Sequence, residues 1–580
     1  MSVEEPVDVR LVPAALAVWG VAAAVVGTGA RGLVASGLVA AVLAATVPLC
    51  RRRRSPGGGS GGGTARREHE AGGAAPADAG RAGGPGSARA GGGARVGVAE
   101  ARRAQAALAL GAVAVLLLTT AAQVTAREAG EVRALAEARD RVRLVGTVRS
   151  TPQIPGGAGG SGTVRFLLAA RSVEVLGGGA SRAVAGGAGD GAVPADGAVA
   201  GRGVVGTGAA VEVYAPASAA DLAYGTRVEV EARLSTLPDP ARRAVARARA
   251  DGDPAVRAPP TGVLRVADAL RVGLVSTASA VPGDAGRLLP AVAVGDTRGV
   301  GDLDEAMRVS GLAHITAVSG AHFSILGAAV LAVVARCGVP RRWRWLPVTT
   351  VLGGFVAVVQ PGSSVVRAAV MGAVGVLGIV AGRPSRSVPA LACAVLVLVV
   401  VDPWLARDVG FVLSVVATAG IALLAGPLAR RWSAPPDGVR RAGAPPSTTT
   451  RRRVAGPVAT AFAVPVAAQA VCAPVVLVLS PAVPAYAVLA NVAAAPAVAP
   501  ATVGGLLAAV LGPWWPAAAT ACAHVAGAAC WWIAAVARTA TGLPGAQVAW
   551  AGGAVGQVLL ATACGAALVL VLRCRRGMAP

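Results

Sequence analysis

Five side chains that can form hydrogen bonds lie within residues 311–326, GLAHITAVSGAHFSIL, a stretch that is otherwise apolar enough to enter a membrane. They are His314, Thr316, Ser319, His322 and Ser324. Hydrocarbon offers no water to such groups, so we expect them to face protein, a cavity or a wet path. Gly311 and Gly320 allow close backbone approach or a break in the helix. The segment therefore predicts a polar pathway inside a membrane protein.

Two enzymatic interpretations of the same residues stay open. Ser319 with His322 three residues later has the elements of a nucleophile and its base, but the local sequence lacks the G-x-S-x-G elbow. His314 and His322 as a metal pair would stand ~12 Å apart on a straight helix, too far for one tetrahedral ion unless Gly320 breaks the helix. Buried histidines that hydrogen-bond to neighbouring helices are a third interpretation. We predict no catalytic residue, no metal ligand and no cofactor.

Polar residues elsewhere in apolar surroundings extend the predicted pathway and its rim. Asp296 is expected to hold the outer rim by pairing with an arginine such as Arg308 or Arg367, or else to cap a solvated turn. Arg367 either reaches the membrane surface or faces inward, where it offers a phosphate a bidentate donor. The predicted pathway set is His314, Thr316, Ser319, Gly320, His322, Arg367, Ser414 and Asn491, and the predicted rim set is Asp296, Arg308 and Asp408.

Composition points to a polytopic membrane protein. The chain has 580 residues, of which 54% are hydrophobic, and its mean hydropathy is +0.62, which is rare for a soluble protein of this size. It contains no lysine, so all 54 basic residues are arginine and the formal net charge is +24. A P-loop motor and a lysine Schiff base both need lysine, so the sequence excludes both from this chain.

Apolar stretches near the ~20 residues that a bilayer needs recur along the chain. They cover 11–29, 31–49, 106–123, 312–336, 345–361, 364–381, 388–401, 409–427, 456–480, 485–511, 517–538 and 555–573. The short run at 388–401 and the proline-interrupted region at 456–511 are candidates for broken helices. The predicted fold is an all-α polytopic membrane bundle of about twelve transmembrane helices with an inserted small extracytoplasmic β domain.

Arginine placement predicts the orientation. With the N-terminus inside, five basic clusters fall on the cytoplasmic side together with the C-terminus. They are Arg51–Arg54, Arg341–Arg344, Arg383 with Arg386, the loop at 428–453, and the tail with Arg573, Arg575 and Arg576. The same assignment places residues 124–311 outside. The predicted location is the bacterial inner membrane, spanned several times.

The predicted domains follow from these boundaries. They are a transmembrane pair at 1–50, a Gly/Arg-rich cytoplasmic linker at 51–105, a transmembrane helix at 106–123, the β domain at 124–260, amphipathic helices at 261–311 on the outer membrane face or the barrel, and the main transmembrane domain at 312–573. Alternating residues predict strands at Arg141–Arg149, Val164–Ala169, Ala210–Tyr214 and Thr226–Leu234. Arginines are plentiful in the β domain and aromatics scarce, so it would bind single strands weakly and in a salt-dependent way, or be purely structural.

Several blocks together resemble the ComEC family, the inner-membrane channel proteins of bacterial DNA uptake. The family pattern His-x-x-x-x-Ser-Gly-x-His stands here as His314, Ser319, Gly320 and His322. The other blocks, in the family's order, are Val294–Thr297, Ser363–Met371 with Arg367, Asp402-Pro403 leading to Gly410–Ser414, and Asn491 followed by Pro496. The resemblance covers roughly residues 290–510. It implies that the β domain is an OB-like barrel and that the chain passes single-stranded DNA into the cytoplasm during natural transformation.

The resemblance also implies partners. They are single-stranded DNA, the lipid bilayer, a periplasmic or extracellular DNA receptor and a cytoplasmic ATP-driven helicase, and a wide pore would call for a homodimer. Many family members carry a metallo-β-lactamase-like domain, but the four histidines here, His69, His314, His322 and His524, lack its metal-binding spacing, so we expect no nuclease. Three alternatives stay open: a secondary transporter or permease for a small solute or envelope precursor, a degenerate homologue that moves no DNA, and a membrane enzyme.

Overall fold

The structure is a computed structural model of the chain. It describes residues 8–26, 33–34, 36–37, 40–41, 90–128, 131–153, 162–176, 209–237, 243–380, 387–433 and 447–573, and leaves the side chains of 90–103, 128, 379–380 and 447–455 undescribed. Most of the predicted span at 31–49 and of the predicted linker at 51–105 lies outside the described residues.

Helices dominate the described chain. The α-helices are α1 (Val12–Val25), α2 (Ala90–Glu128), α3 (Glu131–Ala138), α4 (Val263–Ala278), α5 (Gly283–Val294), α6 (Leu303–Val309), α7 (Ala313–Thr316), α8 (Gly320–Arg336), α9 (Trp345–Val359), α10 (Ser363–Val380), α11 (Ser387–Val401), α12 (Val409–Gly420), α13 (Gly426–Ser433), α14 (Ser447–Val476), α15 (Ala487–Leu511), α16 (Pro516–Gly542) and α17 (Gly553–Arg573). A π-helical turn, Ile421–Ala425, joins α12 to α13, and 3₁₀ turns cover Ala217–Asp221, Arg341–Trp343 and Pro403–Arg407.

Five strands close into a small barrel. The strands are β1 (Arg141–Val148), β2 (Thr163–Val175), β3 (Ala210–Pro216), β4 (Arg227–Thr236) and β5 (Ala246–Ala250), with β6 (Ala255–Ala258) added on β4 and a separate pair formed by β7 (Ala482–Pro484) and β8 (Gln547–Ala549). The order is β1-β2-β3-β5-β4, and β4 pairs back onto β1, while β3 and β5 run parallel. The number of strands, five, and their closure agree with the predicted OB-like barrel.

Alternation explains why these residues form the barrel. Val142 and Leu144 on β1, Phe166 on β2 and Val213 on β3 point inward and are fully buried. The four predicted strands are present. Sequence reasoning missed β5 because its alternating Ala-Arg residues lack the β-branched and aromatic side chains that mark a strand.

Six described helices are long and apolar enough to cross a membrane. They are Ala104–Arg127, Val409–Ser433, Gly456–Val476, Ala487–Leu511, Pro516–Gly542 and Gly553–Arg573. Four shorter apolar helices accompany them: Val12–Val25, Gly320–Arg336, Ser363–Gly378 and Ser387–Val401. The structure therefore supports a helical membrane bundle, but the predicted count of about twelve spans is not confirmed.

The barrel contacts one set of helix ends. Arg127 near the end of α2 donates to the Ala244 carbonyl at 3.0 Å, and Thr151 of the barrel donates to Gln360 after α9 at 2.9 Å. Arg243 pairs with Asp402, which follows α11, at 3.4 Å. The orientation predicted from arginine placement assigns all three helix ends to the outer side. Which side faces the cytoplasm stays a prediction.

The segment at 261–311 differs from expectation. We expected amphipathic helices on a surface, but α5 is buried on nearly every face between α15 and α16. Its neighbours make room with glycine: a Cβ added to Gly505 would lie 2.6 Å from the Ala293 Cβ. Helix α4 keeps an exposed apolar face, with Val263, Val266 and Val272 accessible. Helix α5 is stable in its position because the neighbouring helices enclose its apolar faces.

Barrel closure predicts a sharp difference between two glycines. Gly146 lies at a bulge in β1, where an added Cβ would stand 2.5 Å from the Ala169 carbonyl oxygen, whereas one at Gly252 would meet nothing within 4 Å. Gly146→Ala should therefore destabilise the barrel by about 1–3 kcal/mol, the usual cost of overpacking. The rate of limited proteolysis within residues 141–258 measures this. Gly252→Ala is the control, and equal rates for the two variants would contradict the prediction.

Candidate functional site

The polar residues at 319–322 build the start of α8. Ser319 is the N-cap residue, in extended conformation, and its hydroxyl accepts a hydrogen bond from the backbone N–H of His322. In return, Nδ1 of His322 accepts from the Ser319 backbone N–H at 3.1 Å. This reciprocal capping box satisfies two backbone donors within an apolar environment. Ser319 and His322 were predicted to face a pathway, and the structure assigns both of them a capping contact.

His322 is almost completely buried, at 1% exposure. Its Nε2 atom has no hydrogen-bond partner among the described residues. Since Nδ1 accepts the Ser319 N–H, the neutral ring carries its proton on Nε2. No carboxylate is bonded to this ring in the described chain, so the base of a catalytic triad lacks its orienting acid here.

Two polar side chains of residues 311–326 are exposed. His314 on α7 is exposed, and so is Ser324 on α8, whose hydroxyl donates to the Gly320 carbonyl at 3.0 Å. Thr316 is buried and donates to the Ala313 carbonyl at 2.8 Å. Of the predicted pathway residues in this segment, His314 is therefore accessible, whereas Thr316 stabilises local structure.

Asn491 ties α15 to the same segment. Its amide donates to the Ala487 carbonyl at 2.8 Å and to the Gly311 carbonyl at 3.4 Å. Gly311 has a positive φ of 77°, and an added Cβ would lie 2.7 Å from the Ala487 Cβ. The close approach of this turn to α15 therefore requires glycine.

Arg367 lies in the wall between α10 and α12 and is only 3% exposed. Its Nε donates to the Ser414 hydroxyl at 2.9 Å, and its Nη1 donates to the Thr418 hydroxyl at 3.0 Å and to Met371 Sδ at 3.1 Å. In the described part of the chain, Arg367 forms no ion pair with a carboxylate. Its partners are neutral, so no described residue compensates the positive charge.

Two further residues complete this cluster, and sequence reasoning missed both. Thr418 follows Ser414 by four residues and shares its helix face, a spacing that could have revealed it. The Ser364 hydroxyl lies 3.0 Å from that of Ser414. Arg367 and Ser414 were both predicted for the pathway, and the structure brings them together.

The prediction for Asp296 is wrong in its partners. Asp296 is 3% exposed and pairs with Arg298 at 2.5 Å and with the buried Arg271 at 3.5 Å, not with Arg308 or Arg367. Arg271 also donates to the Val294 and Val358 carbonyls at 2.7 and 3.0 Å. Arg271 was overlooked because its helix also carries Arg265 and Asp268, and nothing in this pattern marks Arg271 as the buried charge. It reaches Asp296 because α4 packs against α5.

This network joins the barrel to the helices. Arg298 also contacts Asp221, in the 3₁₀ turn after β3, at 3.3 Å. Burial alone raises the pKa of Asp296, but the hydrogen bond from Arg298 and the charges of Arg298 and Arg271 outweigh burial and hold this pKa below its usual value. Asp296 is therefore a charged structural residue near the rim.

The other predicted rim residues have local partners. Arg308 pairs with Glu305 three residues earlier at 2.5 Å and donates to the Ser480 hydroxyl at 3.1 Å. Asp408 is the N-cap of α12, since its side chain accepts from the Phe411 N–H at 2.7 Å. Asp408 is therefore a helix-capping residue.

Five helices form a closed ring. Helix α8 packs on α10, α10 on α12, α12 on α14, α14 on α15, and α15 again on α8. Members of the ring that are not neighbours in this order, such as α8 and α14, make few or no contacts with each other over their described lengths. Helices outside this circuit pack against its members: α9 and α11 lie against α10, α17 lies against α14, and α16 lies against α15.

Helix α8 has one packed side and one exposed side, and the exposed side begins with small residues. Its packed side carries Phe323, whose ring meets that of Phe355 on α9 with centroids 5.1 Å apart. Ala321, Ser324 and Ala328 lie on the opposite side, at helical spacing, and are exposed. We call the region that the five helices surround the lumen.

Residues 293–576 match the family model described as Competence protein. Residues 293–576, just under half of the chain, therefore form a competence-protein domain of the ComEC type. A curated relative, ComE operon protein 3 of Bacillus subtilis (strain 168), is 31% identical over 147 residues, or 25% of this chain. The match spans about a fifth of that relative's length, 19%. No solved structure matches.

The family blocks meet in space within the competence domain, residues 293–576. Gly320 lies beside Arg367, because a Cβ added to Gly320 would be 3.6 Å from Arg367 Nη2. Arg367 in turn binds Ser414, and a Cβ on Gly410 would lie 3.2 Å from the Ser363 hydroxyl. Three blocks that are far apart in the sequence thus converge near the first turns of α8, α10 and α12. These turns are at the barrel end of the competence domain.

Removing the charge of Asp296 tests the structural role of its network. Asp296→Asn leaves Arg271 buried beside a neutral group, so the competence protein should lose about 3 kcal/mol of stability. Asp221→Asn is the control, because this exposed partner of Arg298 should matter by about 0.5 kcal/mol or less. The measurement is the thermal unfolding midpoint in detergent, and equal shifts for the two variants would refute the assignment.

The same ion pair predicts an acid limit. A carboxyl whose folded pKa is lowered stabilises the protein above its unfolded pKa, and this contribution is lost as pH falls through the folded value. The usual value for Asp296 is 3.8, so the loss should occur below about pH 4. A titration of the unfolding midpoint from pH 7 to 3 should show a steeper acid loss in the native protein than in Asp296→Asn. Parallel curves would contradict this expectation.

The capping box predicts that Ser319 is structural. Ser319→Ala should cost about 1 kcal/mol of stability, as loss of a cap does, and should leave function within a few-fold of the native level. Combined with His322→Ala, the two losses should not add, because each variant already breaks the shared contact. Complete loss of activity in Ser319→Ala, with stability unchanged, would instead identify a nucleophile.

Proposed function

We propose that the competence domain conducts single-stranded DNA across the cell membrane through the lumen of its five-helix ring. The observation that carries this proposal is the closed circuit of contacts between α8, α10, α12, α14 and α15. We infer that the exposed face of α8, with Ala321, Ser324 and Ala328, points inward to the lumen. The family assignment and the membrane-like helices are consistent with it.

The lining of the lumen suits an anionic polymer. On α8 it presents Ala321, Ser324 and Ala328, which are small and carry no negative charge. A conducting pore needs interactions that favour entry but leave no deep minimum along the path. Arg367 near the barrel end supplies one positive charge, and its hydroxyl partners carry no charge that would cancel it.

We propose a positioning role for the barrel rather than tight binding of DNA. Several arginines that were predicted to receive DNA are engaged with carboxylates. Arg141 pairs with Asp251 at 2.7 Å, Arg143 with Glu231 at 2.9 Å and Arg165 with Glu212 at 3.1 Å. Paired arginines release fewer counterions on binding a strand, so the affinity should be low and lost readily in salt.

The proposal requires partners. The chain contains no lysine for a phosphate-binding loop, so we propose that a cytoplasmic ATP-driven helicase pulls the strand and that an external receptor delivers it. The ring closes within one chain, so conduction through it does not depend on a homodimer. A homodimer stays a prediction for the assembly.

Blocking the lumen tests the proposal. Ala328→Trp adds a bulky side chain to the inward face of α8 and should reduce uptake of labelled DNA into the cytoplasm at least tenfold. Val351→Trp is the matched control, because Val351 is exposed on α9, which lies outside the ring. It should leave uptake near the native level. Equal uptake in both variants at equal protein abundance would count against conduction through this lumen.

Labelling gives an independent check. In a cysteine-free background, Ser324→Cys should react with a membrane-impermeant maleimide, because Ser324 is exposed on the inward face. Phe323→Cys should resist, because Phe323 is buried against Phe355. If neither position reacts in any state, the face is sealed by lipid or protein and the proposal fails.

A further inference from the structure

Arg367 is a buried cation that the protein leaves unbalanced. It is 3% exposed, and in the described chain its partners are two hydroxyls and a thioether. Arginine keeps its proton in proteins, so it cannot relieve the cost of burial by becoming neutral. A buried charge without an opposite charge costs several kcal/mol. The site therefore favours an external anion.

One guanidinium nitrogen is left for that anion. Nε and Nη1 donate to Ser414, Thr418 and Met371, whereas Nη2 makes no hydrogen bond to the described residues. Nη2 points to Gly320, the first residue of α8. The side-chain space of Gly320 is open, since Nη2 is the one atom within 4 Å of an added Cβ, at 3.6 Å. A side-chain position at Gly320 is therefore open and adjoins the Arg367 guanidinium.

The helix start adds donors to the same space. Helix α8 is 17 residues long, and the backbone N–H groups of Gly320 and Ala321 in its first turn form no hydrogen bond within the described structure. The N-terminus of a helix also carries a partial positive charge. Two free helix-start amides and a guanidinium N–H beside the same glycine are donors of the kind that bind oxyanions.

We propose that Arg367 Nη2 and the first-turn amides of α8 form a binding site for one phosphate-class oxyanion at the barrel end of the ring. The ligand is either free inorganic phosphate or a phosphate group of a strand in the lumen. The second source rests on the proposed function, whereas the first does not. Bound anion neutralises Arg367, and a passing strand exchanges one phosphate group for the next.

Two substitutions remove different parts of this site. Arg367→Met removes the charge and keeps an unbranched apolar chain. Gly320→Ala keeps the charge but fills the space beside Nη2, and its methyl group would make only an ordinary contact at 3.6 Å. Gly327→Ala is the control: it adds the same methyl group to the same helix, where the nearest atom is 3.9 Å away on Leu352.

The experiment measures equilibrium binding of radiolabelled inorganic phosphate to the full-length protein in lipid nanodiscs. Native protein and Gly327→Ala should bind with the same affinity, while Arg367→Met and Gly320→Ala should each weaken binding at least tenfold. Native-like binding by Gly320→Ala, or absence of saturable binding by native protein, would overturn the site. Because Gly320→Ala keeps Arg367, this test stands even when Arg367→Met fails to fold.

Uptake of labelled DNA, measured in the same variants, separates the site from conduction. Loss of both phosphate binding and uptake supports an anion site on the DNA path. Loss of phosphate binding with native uptake supports the site and removes it from the path, which leaves the lumen proposal to its own tests. Displacement of bound phosphate by oligothymidylate identifies the strand as a ligand, whereas no displacement identifies free phosphate as the occupant.

Discussion

The scarcity of water between packed helices constrains the buried polar groups of this protein. A helix that begins among other helices exposes its first backbone amides, and these must find acceptors. In α8 the acceptors are the hydroxyl of Ser319 and a ring nitrogen of His322, so the polar signature is first a way to start a helix within the membrane region. Gly320 then leaves room beside the same helix start. The cap formed by Ser319 and His322 and the space left by Gly320 thus lie next to each other at the start of α8.

Two buried arginines show how surroundings decide the role of a charge. Arg271 has an aspartate, Asp296, and two carbonyls as partners, so its charge is balanced within the fold and it joins α4 to the α5–α6 turn. Arg367 has neutral partners and one free nitrogen. A balanced pair stabilises a junction, whereas an unbalanced cation attracts an anion. Arg271 is therefore a structural residue, whereas Arg367 is the residue on which the proposed anion site is based.

Patterns within one stretch of chain could be predicted from the sequence. The apolar runs locate the helices from α8 to α17, and alternation locates β1 to β4. Contacts between distant stretches could not be predicted. The partners of Asp296 depend on how α4 lies against α5, and the burial of α5 depends on glycines more than 200 residues later. Arg367 and Ser414 were chosen separately, but their contact depends on helix packing. The ring itself has no counterpart in a local pattern.

The most direct test of the central claim is a cryo-electron microscopy map of the protein in lipid nanodiscs. The account predicts that α8, α10, α12, α14 and α15 enclose a water-filled space, with no lipid chain against Ala321 or Ala328. It also predicts compact non-protein density between Gly320 and Arg367 when phosphate is present. Acyl-chain density along the Ala321–Ala328 face, or direct packing of α8 against α14 across the ring, would contradict it.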